Sequence, residues 1–198
     1  MSEHYYSQKP TAQHDVHEIQ ERLRGRLFTF QTDAGVFSKK GVDYGSRHLI
    51  ETVELPPAAK VLDVGCGYGP MGLAVAAACP DGHVTMVDIN ERAVELARTN
   101  ARRNGIANVR IVQSDLLEAV KEQRFDLIMT NPPIRAGKEV VHRIFAEAYA
   151  CLQPGGSLWV VIQKKQGAPS AAAKLESIYG EVAEVSKDKG YRILRAIR

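Results

Sequence analysis

The spacing of hydrophobic positions along the chain changes at residue 60. Beyond this point, short apolar runs alternate with longer stretches in which apolar residues recur every three or four positions. Short apolar runs are typical of buried strands, and the longer spacing is typical of amphipathic helices. The pattern predicts strands at 61–64, 83–88, 109–112, 125–130, 156–162, 181–186 and 190–197, and helices at 70–79, 91–104, 116–121, 138–151 and 169–178.

This alternation indicates an α/β fold with a mostly parallel sheet and helices on both faces, because parallel strands are joined by crossover helices. The two C-terminal strands have no helix between them. We therefore expect them to form a hairpin, so that the last strand is antiparallel to its neighbours. The helix at 91–104 is expected to begin after Asn90, whose side chain can cap it.

The region before residue 60 is less regular. Val16, Ile19 and Leu23 can share one face of a helix, so we expect a helix over residues 14–23 that ends near Gly25. Further elements are expected as a strand at 27–30, an aperiodic loop at 35–46 and a helix at 47–54. We divide the chain into a partly helical N-terminal segment, residues 1–26, and one domain, residues 27–198.

The composition is that of a globular domain. The chain has 198 residues, of which 44% are hydrophobic and 25% charged. The first ten residues lack the apolar stretch of a signal peptide, and the longest apolar run is too short to cross a bilayer. Cys66, Cys79 and Cys151 lack the paired spacing of zinc ligands or of a disulfide framework. We therefore expect a cytoplasmic protein without a metal site or a membrane partner; the oligomeric state, a monomer included, stays open.

Positive charge is concentrated near the C-terminus. The net charge is +3, and residues 161–198 carry eight Lys or Arg against four Asp or Glu. The basic residues considered for a binding surface are Lys164, Lys165, Lys187, Lys189, Arg192 and Arg195. Such an excess favours a polyanionic partner, although a solvated surface is an equally good explanation of the charge taken alone.

A glycine-rich stretch follows the strand at 61–64. Gly65, Gly67, Gly69 and Gly72 precede an apolar helix, and a strand, a glycine-rich turn and a helix in this order commonly hold a nucleotide-like ligand. The spacing from Gly67 to Gly72 also fits a dinucleotide-binding loop, which is a weak signal when it stands alone. A turn that binds nothing is the alternative.

Asp63 distinguishes a ligand that contains a pyrophosphate from a ligand that carries positive charge. A carboxylate two residues before the first glycine would repel a pyrophosphate. It would attract a cationic ligand with about 4 kcal/mol at an effective dielectric constant of 20, before the cost of desolvation is subtracted. S-adenosylmethionine (SAM) carries a sulfonium and an ammonium. The order Asp63-x-Gly65-x-Gly67-x-Gly69 resembles the first motif of class I SAM-dependent methyltransferases. We therefore expect SAM as cofactor, with Cys66 also in contact with it.

Acidic residues end the next two strands. Asp88, followed by Ile89, lies about 20 positions beyond the glycine loop, where a carboxylate can accept hydrogen bonds from ribose hydroxyls. Its alternative role is to cap the following helix together with Asn90. The methyltransferase resemblance implies that Ser114 and Asp115 lie near the adenine, and Asp115 could equally be a helix N-cap.

The strand at 125–130 ends in Asn131-Pro132-Pro133-Ile134. Proline has no amide hydrogen, so we expect the Asn131 side-chain oxygen and the carbonyl groups of this turn to stay free of local donors. Free acceptors suit a substrate amino group whose lone pair must point at a methyl carbon. The sequence resembles the fourth motif of amino-group methyltransferases, where an aromatic residue usually stands in the place of Ile134. A rigid turn without catalytic role is the alternative.

Four segments together resemble the catalytic domain of bacterial small-subunit ribosomal RNA guanine-N2 methyltransferases. They are Gly35-Val-Phe-Ser-Lys with Asp43-Tyr-Gly-Ser, Asp63-Val-Gly-Cys-Gly, Asn131-Pro-Pro, and Gly190-Tyr-Arg-Ile-Leu-Arg-Ala-Ile. The resemblance covers residues 27 to 198. It implies a Rossmann-like class I fold with a seven-stranded sheet, methyl transfer from SAM to an exocyclic amine of 16S rRNA, and the small ribosomal subunit or its RNA as partner.

Substrate contacts are expected in the loop at 35–46. Phe37 could supply the aromatic face that Ile134 lacks, and a core position for Phe37 is the alternative. The flanking residues Ser38, Lys39 and Lys40 could hold phosphates. Other functions stay open as well. They are methylation of a different amine, such as a protein glutamine, an adenine or a small molecule, and a non-catalytic protein that binds SAM or RNA.

Overall fold

The structure is a computed structural model that describes residues 6–198. The strands are β1 His17–Leu23, β2 Arg26–Thr32, β3 Lys60–Val64, β4 His83–Asp88, β5 Val109–Gln113, β6 Phe125–Thr130, β7 Leu152–Gln163, β8 Glu181–Asp188 and β9 Tyr191–Ile197. The α-helices are α1 Tyr44–Thr52, α2 Pro70–Ala78, α3 Glu91–Arg103, α4 Lys138–Cys151 and α5 Ala168–Ile178. In this described part of the chain, no helix is long and apolar enough to cross a membrane.

Seven strands form one sheet in the order β5-β4-β3-β6-β7-β9-β8. Strands β3 to β7 pair in parallel, and β9 lies antiparallel between β7 and β8. This confirms the expected parallel sheet with a C-terminal hairpin. The chain leaves β3 in one direction to form β4 and β5 and returns to the other side of β3 as β6. Ligands of open α/β sheets bind at such a reversal, outside the carboxyl ends of the strands.

Both faces of the sheet are covered. Successive residues of β3, such as Val61 and Leu62, point to opposite faces and belong to separate hydrophobic clusters. The cluster that contains Val61 also contains the buried side chains of α1, α2 and α3 and the aromatic residues of β2. The cluster that contains Leu62 is closed by α4 and α5. Strands β3, β4 and β6 are therefore buried on both sides, which explains their nearly continuous apolar runs, whereas the edge strand β5 is only partly covered.

The helix expected over residues 14–23 is wrong, because this region forms β1 and pairs with β2. Its apolar residues fit a strand equally well, since Ile19 and Leu23 lie on the same face of an extended chain. Arg24 and Gly25 have φ values of +48° and +76°. Two central residues with positive φ make the tight turn that suits the twist of a hairpin. Gly25 therefore turns a hairpin and does not end a helix.

Two asparagines one turn apart support this hairpin: Asn100 in helix α3 and Asn104, the C-cap of the same helix. Asn104 accepts from the amide of Thr29 and donates to its carbonyl, and Asn100 does the same with Gln31. The side chains thus satisfy backbone groups of β2 that β1 does not reach. Asn100 also donates to the carbonyl of Tyr68 at 2.8 Å, so the hairpin is tied to the glycine-rich stretch.

Two other boundaries differ from expectation. Helix α1 begins at Tyr44, because Asp43 caps it by accepting from the amide of Ser46. The helix expected at 116–121 is a single 3₁₀ turn at Glu118–Val120 without a side-chain cap. Leu116 has a φ of +49°, which is incompatible with an α-helix. The Asp115 side chain is therefore not a helix N-cap; only its carbonyl accepts, from Glu118.

Candidate active site

A cavity of about 590 Å³ lies at the carboxyl ends of β3, β4 and β6. Its volume is in the range of small-molecule and cofactor sites. Most of the residues selected from the sequence line it. They are Phe37, Ser38, Asp63, Gly65, Cys66, Gly67, Asp88, Ile89, Ser114, Asn131, Pro132, Pro133 and Ile134. Gly69, Asp115 and Lys40 do not line it.

The glycine-rich stretch crosses from β3 to α2 beneath this cavity. The amides of Gly65 and Cys66 both donate to the carbonyl of Val87 in β4. Gly65 and Gly67 have positive φ, and a Cβ atom on either would meet nothing within 4 Å. Glycine is therefore needed for the backbone conformation, and the space above it stays open for a ligand.

Gly69 and Gly72 serve packing. Gly69, at φ +107°, is the N-cap of α2, and a Cβ there would lie 3.0 Å from Leu73. A Cβ on Gly72 would lie 2.7 Å from the Met86 side chain. A Cβ on Gly69 would also lie 3.3 Å from the Met86 side chain of β4, so both glycines allow α2 to approach the sheet closely, and Gly69 does not line the cavity.

Asp63 is completely buried at the end of β3. Its Oδ2 atom accepts from the amide of Gly72 at 2.9 Å, which stabilises the first turn of α2. Its Oδ1 atom is buried and has no hydrogen-bond partner among the described residues. Burial raises the pKa of Asp63 to about 7, and the nearby Asp88 carboxylate contributes to the increase. A buried oxygen without a donor indicates a site for a positively charged or donating ligand group.

Asp88 connects β4 to two neighbouring segments. Its Oδ2 atom accepts from the amide of Gly67 and its Oδ1 atom from the amide of Asn90, each at 2.8 Å. Asn90 in turn caps α3 by accepting from Ala93. Burial raises the pKa of Asp88 to about 6, although its backbone hydrogen bonds favour the ionised form. Asp88 therefore supports the cap of α3 and also lines the cavity, so the two expected roles are compatible.

Ser114 and Asp115 are placed differently. Ser114 is buried in the cavity wall, and its hydroxyl accepts from the amide of Ala119 at 3.0 Å. Asp115 is exposed, and Leu116 lines the cavity in its place. The positive φ of Leu116 brings its side chain to the wall. The expected contact of Asp115 with an adenine is thus not supported by its position, whereas that of Ser114 is.

Asn131 lies immediately after β6 and is held by groups from the start of α1. Its Nδ2 atom donates to Asp43 Oδ2 at 3.1 Å and to Ser46 Oγ at 3.0 Å. Within residues 6–198, no group donates to its Oδ1 atom, which is the free acceptor that the sequence predicted.

The expectation was wrong for the proline carbonyl groups. The carbonyl of Pro132 accepts from Ile134, and that of Pro133 accepts from Ala136, both at 2.9 Å. Pro133 has φ −75° and ψ 80°, which is an inverse γ-turn, and this conformation brings the amide of Ile134 back to Pro132. The two proline carbonyl groups are therefore satisfied by local amides, whereas the side-chain oxygen of Asn131 is not.

The loop at 35–46 forms part of the cavity wall. Phe37 is 42% exposed, so it does not belong to the core. The Ser38 hydroxyl donates to the carbonyl of Gly41, and its own carbonyl accepts from Tyr68. Lys40 is exposed outside the cavity, whereas Lys39 lines it and pairs with Asp15 at 2.7 Å. Ile134 lines the cavity and packs against the cluster closed by α4 and α5.

Several cavity residues were not selected from the sequence as site residues. They are Tyr6, Asp43, Ser46, Tyr68, Gln166 and Tyr191. Asp43 and Ser46 could have been found, since an Asp three residues before a polar residue is a common helix start. Tyr191 could not, because the β8–β9 turn brings it from the far end of the chain onto Gly45, where a Cβ would lie 2.8 Å from its ring.

The basic residues near the C-terminus divide into two groups. Arg192 pairs with Glu184 at 3.3 Å and Arg195 with Glu54 at 3.5 Å. Lys164, Lys165 and Lys187 are exposed and make no ion pair within residues 6–198. Lys164 also donates its amide to the carbonyl of Gly190, so this lysine pair lies beside the β8–β9 turn and next to Gln166 and Tyr191 in the cavity wall.

Known proteins resemble this chain in sequence and in fold. The model of the methyltransferase small domain matches residues 27–195. "Uncharacterized protein YbxB" of Bacillus subtilis (strain 168) is 56% identical over 99% of this chain and 98% of its own length. Ribosomal RNA large subunit methyltransferase G of Psychromonas ingrahamii is 33% identical over 83% of this chain, which spans 44% of that enzyme.

Among solved structures, the 16S rRNA N2 G1207 methyltransferase of T. thermophilus, in complex with AdoMet and guanosine, superposes with a TM-score of 0.83 at 29% identity. The match covers 96% of this chain and 52% of that enzyme, so the chain spans about half the length of these RNA methyltransferases. The glycine-rich stretch, Asp63 and Asn131 all lie within the matched residues 27–195. The chain therefore belongs to the methyltransferase small domain family and has its class I, Rossmann-like fold.

Proposed function

We propose that this protein is a SAM-dependent methyltransferase that modifies the exocyclic N2 amine of a guanine in 16S ribosomal RNA. One observation carries the proposal. The unpartnered Asp63 oxygen and the free Asn131 oxygen lie at the ends of the neighbouring strands β3 and β6 and line the same cavity. A cationic methyl donor and an amine acceptor need such a pair of sites in close proximity.

The residues of the cavity fit SAM. The buried Asp63 Oδ1 atom lacks a partner that a cationic ligand can supply. The open space above Gly65 and Gly67 lets the ligand approach the backbone closely. Asp88 retains lone pairs for ribose hydroxyls beside its two backbone donors, and Ile89, Ser114 and Cys66 complete the wall. When bound, SAM supplies an activated methyl group to a nucleophile.

Asn131 orients the amine in this proposal. Its Oδ1 atom accepts a hydrogen bond from the substrate NH2 group and turns the nitrogen lone pair towards the methyl carbon. The lone pair of an exocyclic amine is delocalised into its ring, so an acceptor that favours a pyramidal nitrogen stabilises the transition state more than the ground state. Alignment of the two reactants supplies most of the acceleration.

Guanine in ribosomal RNA is favoured over other amines by the relatives. The T. thermophilus enzyme of similar fold acts on N2 of a 16S guanine and binds guanosine. The Psychromonas relative is a methyltransferase of the large subunit, so 23S rRNA is the competing substrate. In either RNA the target base must be unpaired when it enters the cavity, because its amine is otherwise shielded by stacking and pairing.

The test compares ribosomal RNA from cells that contain or lack this gene. Naked 16S and 23S rRNA and both subunits from the deletion strain are incubated with purified protein and isotopically labelled SAM, then digested and analysed by mass spectrometry. We expect labelled N2-methylguanosine at one 16S position that is unmethylated in the deletion strain. A label in 23S rRNA, in another base or in protein contradicts the proposed substrate.

The variant Asn131→Ala tests the orienting role of this residue. It should bind SAM with near wild-type affinity, because Asn131 faces the acceptor, and should retain less than about a tenth of the activity, equivalent to about 1.4 kcal/mol of barrier. An Asn131→Ala protein with more activity than this contradicts the orienting role, even if the RNA substrate is correct.

A further inference from the structure

We infer that Asp43 and Ser46 are positioning residues that hold the Asn131 amide in one orientation, with its oxygen towards the acceptor amine. This inference rests on the proposed function for its consequence in catalysis. The contacts themselves are independent of any substrate. Both residues belong to the start of α1, about 85 positions before Asn131 in the chain.

The hydrogen bonds decide the orientation. The Nδ2 group of Asn131 has two hydrogens, and Asp43 Oδ2 and Ser46 Oγ accept one each, at 3.1 and 3.0 Å. An ionised carboxylate can only accept, so a rotated amide would place its oxygen against the Asp43 oxygen. That arrangement loses a hydrogen bond and adds repulsion. The oxygen of Asn131 is therefore left as the free atom.

The orientation of Asn131 has to be fixed by its neighbours, because the two ends of an asparagine amide have nearly the same shape. Without Asp43 and Ser46, Asn131 would present either its oxygen or its NH2 group to the substrate. An NH2 group facing an amine offers a donor where an acceptor is required. A fraction of the enzyme molecules would then be inactive, although the fold and the cofactor site were intact.

The N-cap of α1 also holds Asp43 and Ser46 in place. The same Oδ2 atom of Asp43 accepts from the amide of Ser46 at 3.0 Å, as the N-cap of α1. The helix N-terminus carries partial positive charge, which stabilises the carboxylate. Ser46 is 5% exposed and Gly45 is packed under the Tyr191 ring, so this end of α1 has little freedom to move.

The charge of Asp43 also acts on the free oxygen. An amide that donates to an anion is polarised, and its oxygen becomes a stronger acceptor. The substrate nitrogen gains positive charge as the methyl group is transferred, so its N–H groups become stronger donors in the transition state. The polarised oxygen thus favours the transition state over the ground state.

The variants separate capping from positioning. Asp43→Ser keeps a good N-cap but is too short to reach Asn131 as the carboxylate does. Asp43→Asn keeps an oxygen acceptor and removes the charge. Ser46→Ala removes the second acceptor inside a helix, where alanine is well tolerated. We expect kcat to fall at least about tenfold in Asp43→Ser and Ser46→Ala and less in Asp43→Asn, with KM for SAM and the melting temperature near wild type.

A purely structural role predicts a different result. Asp43→Ser would then have wild-type kcat, because the cap is retained, and that outcome overturns the inference. In an Asn131→Ala background, positioning predicts that Asp43→Ser causes no further loss of activity, since the residue it positions is gone. A further loss of about tenfold in that background also contradicts positioning.

Nuclear magnetic resonance tests the contacts without any RNA. The side-chain NH2 signals of Asn131, assigned by their loss in Asn131→Ala, should be protected from hydrogen exchange in the wild type. Asp43→Ser and Ser46→Ala should each lower this protection, because each removes one of the two acceptors. Unchanged protection of the Asn131 NH2 group in Asp43→Ser overturns the inference that Asp43 positions Asn131. If the exchange data confirm both contacts and no RNA is methylated, the proposed function fails and the positioning of Asn131 stands.

Discussion

The amide of Gly67 donates to Oδ2 of Asp88 at 2.8 Å. A carboxylate at the end of β4 thereby fixes the conformation of the glycine-rich stretch that follows β3. The other oxygen of Asp88 holds the amide of Asn90, the N-cap of α3. One side chain thus connects two segments that border the cavity. These hydrogen bonds are made by groups of the protein itself, and a site that is ordered in this way loses less conformational entropy when a ligand binds.

Removal of Asp88 should therefore weaken cofactor binding. We expect Asp88→Ala to reduce the affinity for SAM and S-adenosylhomocysteine by at least about tenfold, equivalent to about 1.4 kcal/mol, because it frees Gly67 and removes an acceptor for the ribose. Isothermal calorimetry measures the affinity. Asp81→Ala, an exposed aspartate in the turn before β4, is the control. Unchanged affinity in Asp88→Ala would show that the ribose assignment is wrong.

Local patterns in the sequence predicted this part of the molecule well. The apolar run of β3, the glycines and the apolar helix α2 are adjacent in the chain, so their geometry depends on short-range preferences. Residues 14–23 were predicted incorrectly because Ile19 and Leu23 fit a helix and a strand equally well. Their partners in β2, and the asparagines of α3 that support β2, lie further along the chain.

The part of the site around Asn131 shows the same limit of prediction from local sequence patterns. Asn131 was identified from its neighbours Pro132 and Pro133, but its hydrogen-bond partners Asp43 and Ser46 are more than 80 residues away. Asp115 was selected because of its position after β5, and the positive φ of Leu116 turns the chain so that a leucine faces the cavity. Side-chain direction in a loop depends on such single dihedral angles, which no periodicity reveals.

Cofactor binding should depend on pH through Asp63. Burial raises its pKa to about 7, so the carboxyl group is largely protonated in the free protein at pH 5 to 6. A cationic ligand favours the ionised form, and we expect the affinity for SAM to rise between about pH 5 and about pH 7, by at most tenfold per pH unit. The α-amino group of the ligand stays protonated in this window, because such groups titrate near pH 8.

The stability of the free protein should change in the opposite direction. The pKa of Asp63 is higher in the folded state than its ordinary value of 3.8, so the folded state binds more protons, and this group lowers stability as pH rises from about 4 to about 7. Asp63→Asn keeps an acceptor for the Gly72 amide and removes the titration. Relative to this variant, the wild-type melting temperature should fall with rising pH, and parallel curves for the two proteins contradict the assignment.

The lysines beside the cavity should contribute to RNA binding. Lys164 and Lys165 are exposed and free of ion pairs within the described residues, so they are available for phosphates. Replacing both with glutamine should reduce the log–log slope of affinity against salt by about 1.4, since each contact with a single strand contributes about 0.7. Fluorescence anisotropy with a labelled rRNA fragment measures the slope.

The control for this pair lies at the opposite edge of the sheet. Lys60 begins β3 and Lys121 precedes β6, so both are at the amino ends of their strands, away from the cavity. The Lys60→Gln, Lys121→Gln protein should keep the wild-type slope. Equal slopes for the two double variants would mean that the basic C-terminal region is an ordinary solvated surface.

Phe37 should determine how well an unpaired base is held. It is 42% exposed and lines the cavity, together with Asn131 and Ile134, which rules out the alternative of a core position. Stacking on an aromatic ring contributes about 1–3 kcal/mol per base, and isoleucine at position 134 has no such ring. Phe37→Leu keeps an apolar side chain of similar reach and removes the aromatic face. We therefore expect kcat/KM for RNA to fall by about tenfold or more, while the affinity for SAM and the melting temperature, measured by calorimetry, stay near wild type.

Phe37→Tyr, which retains the ring, should keep most of the activity. Wild-type kinetics in Phe37→Leu would mean that another group of the cavity wall holds the base.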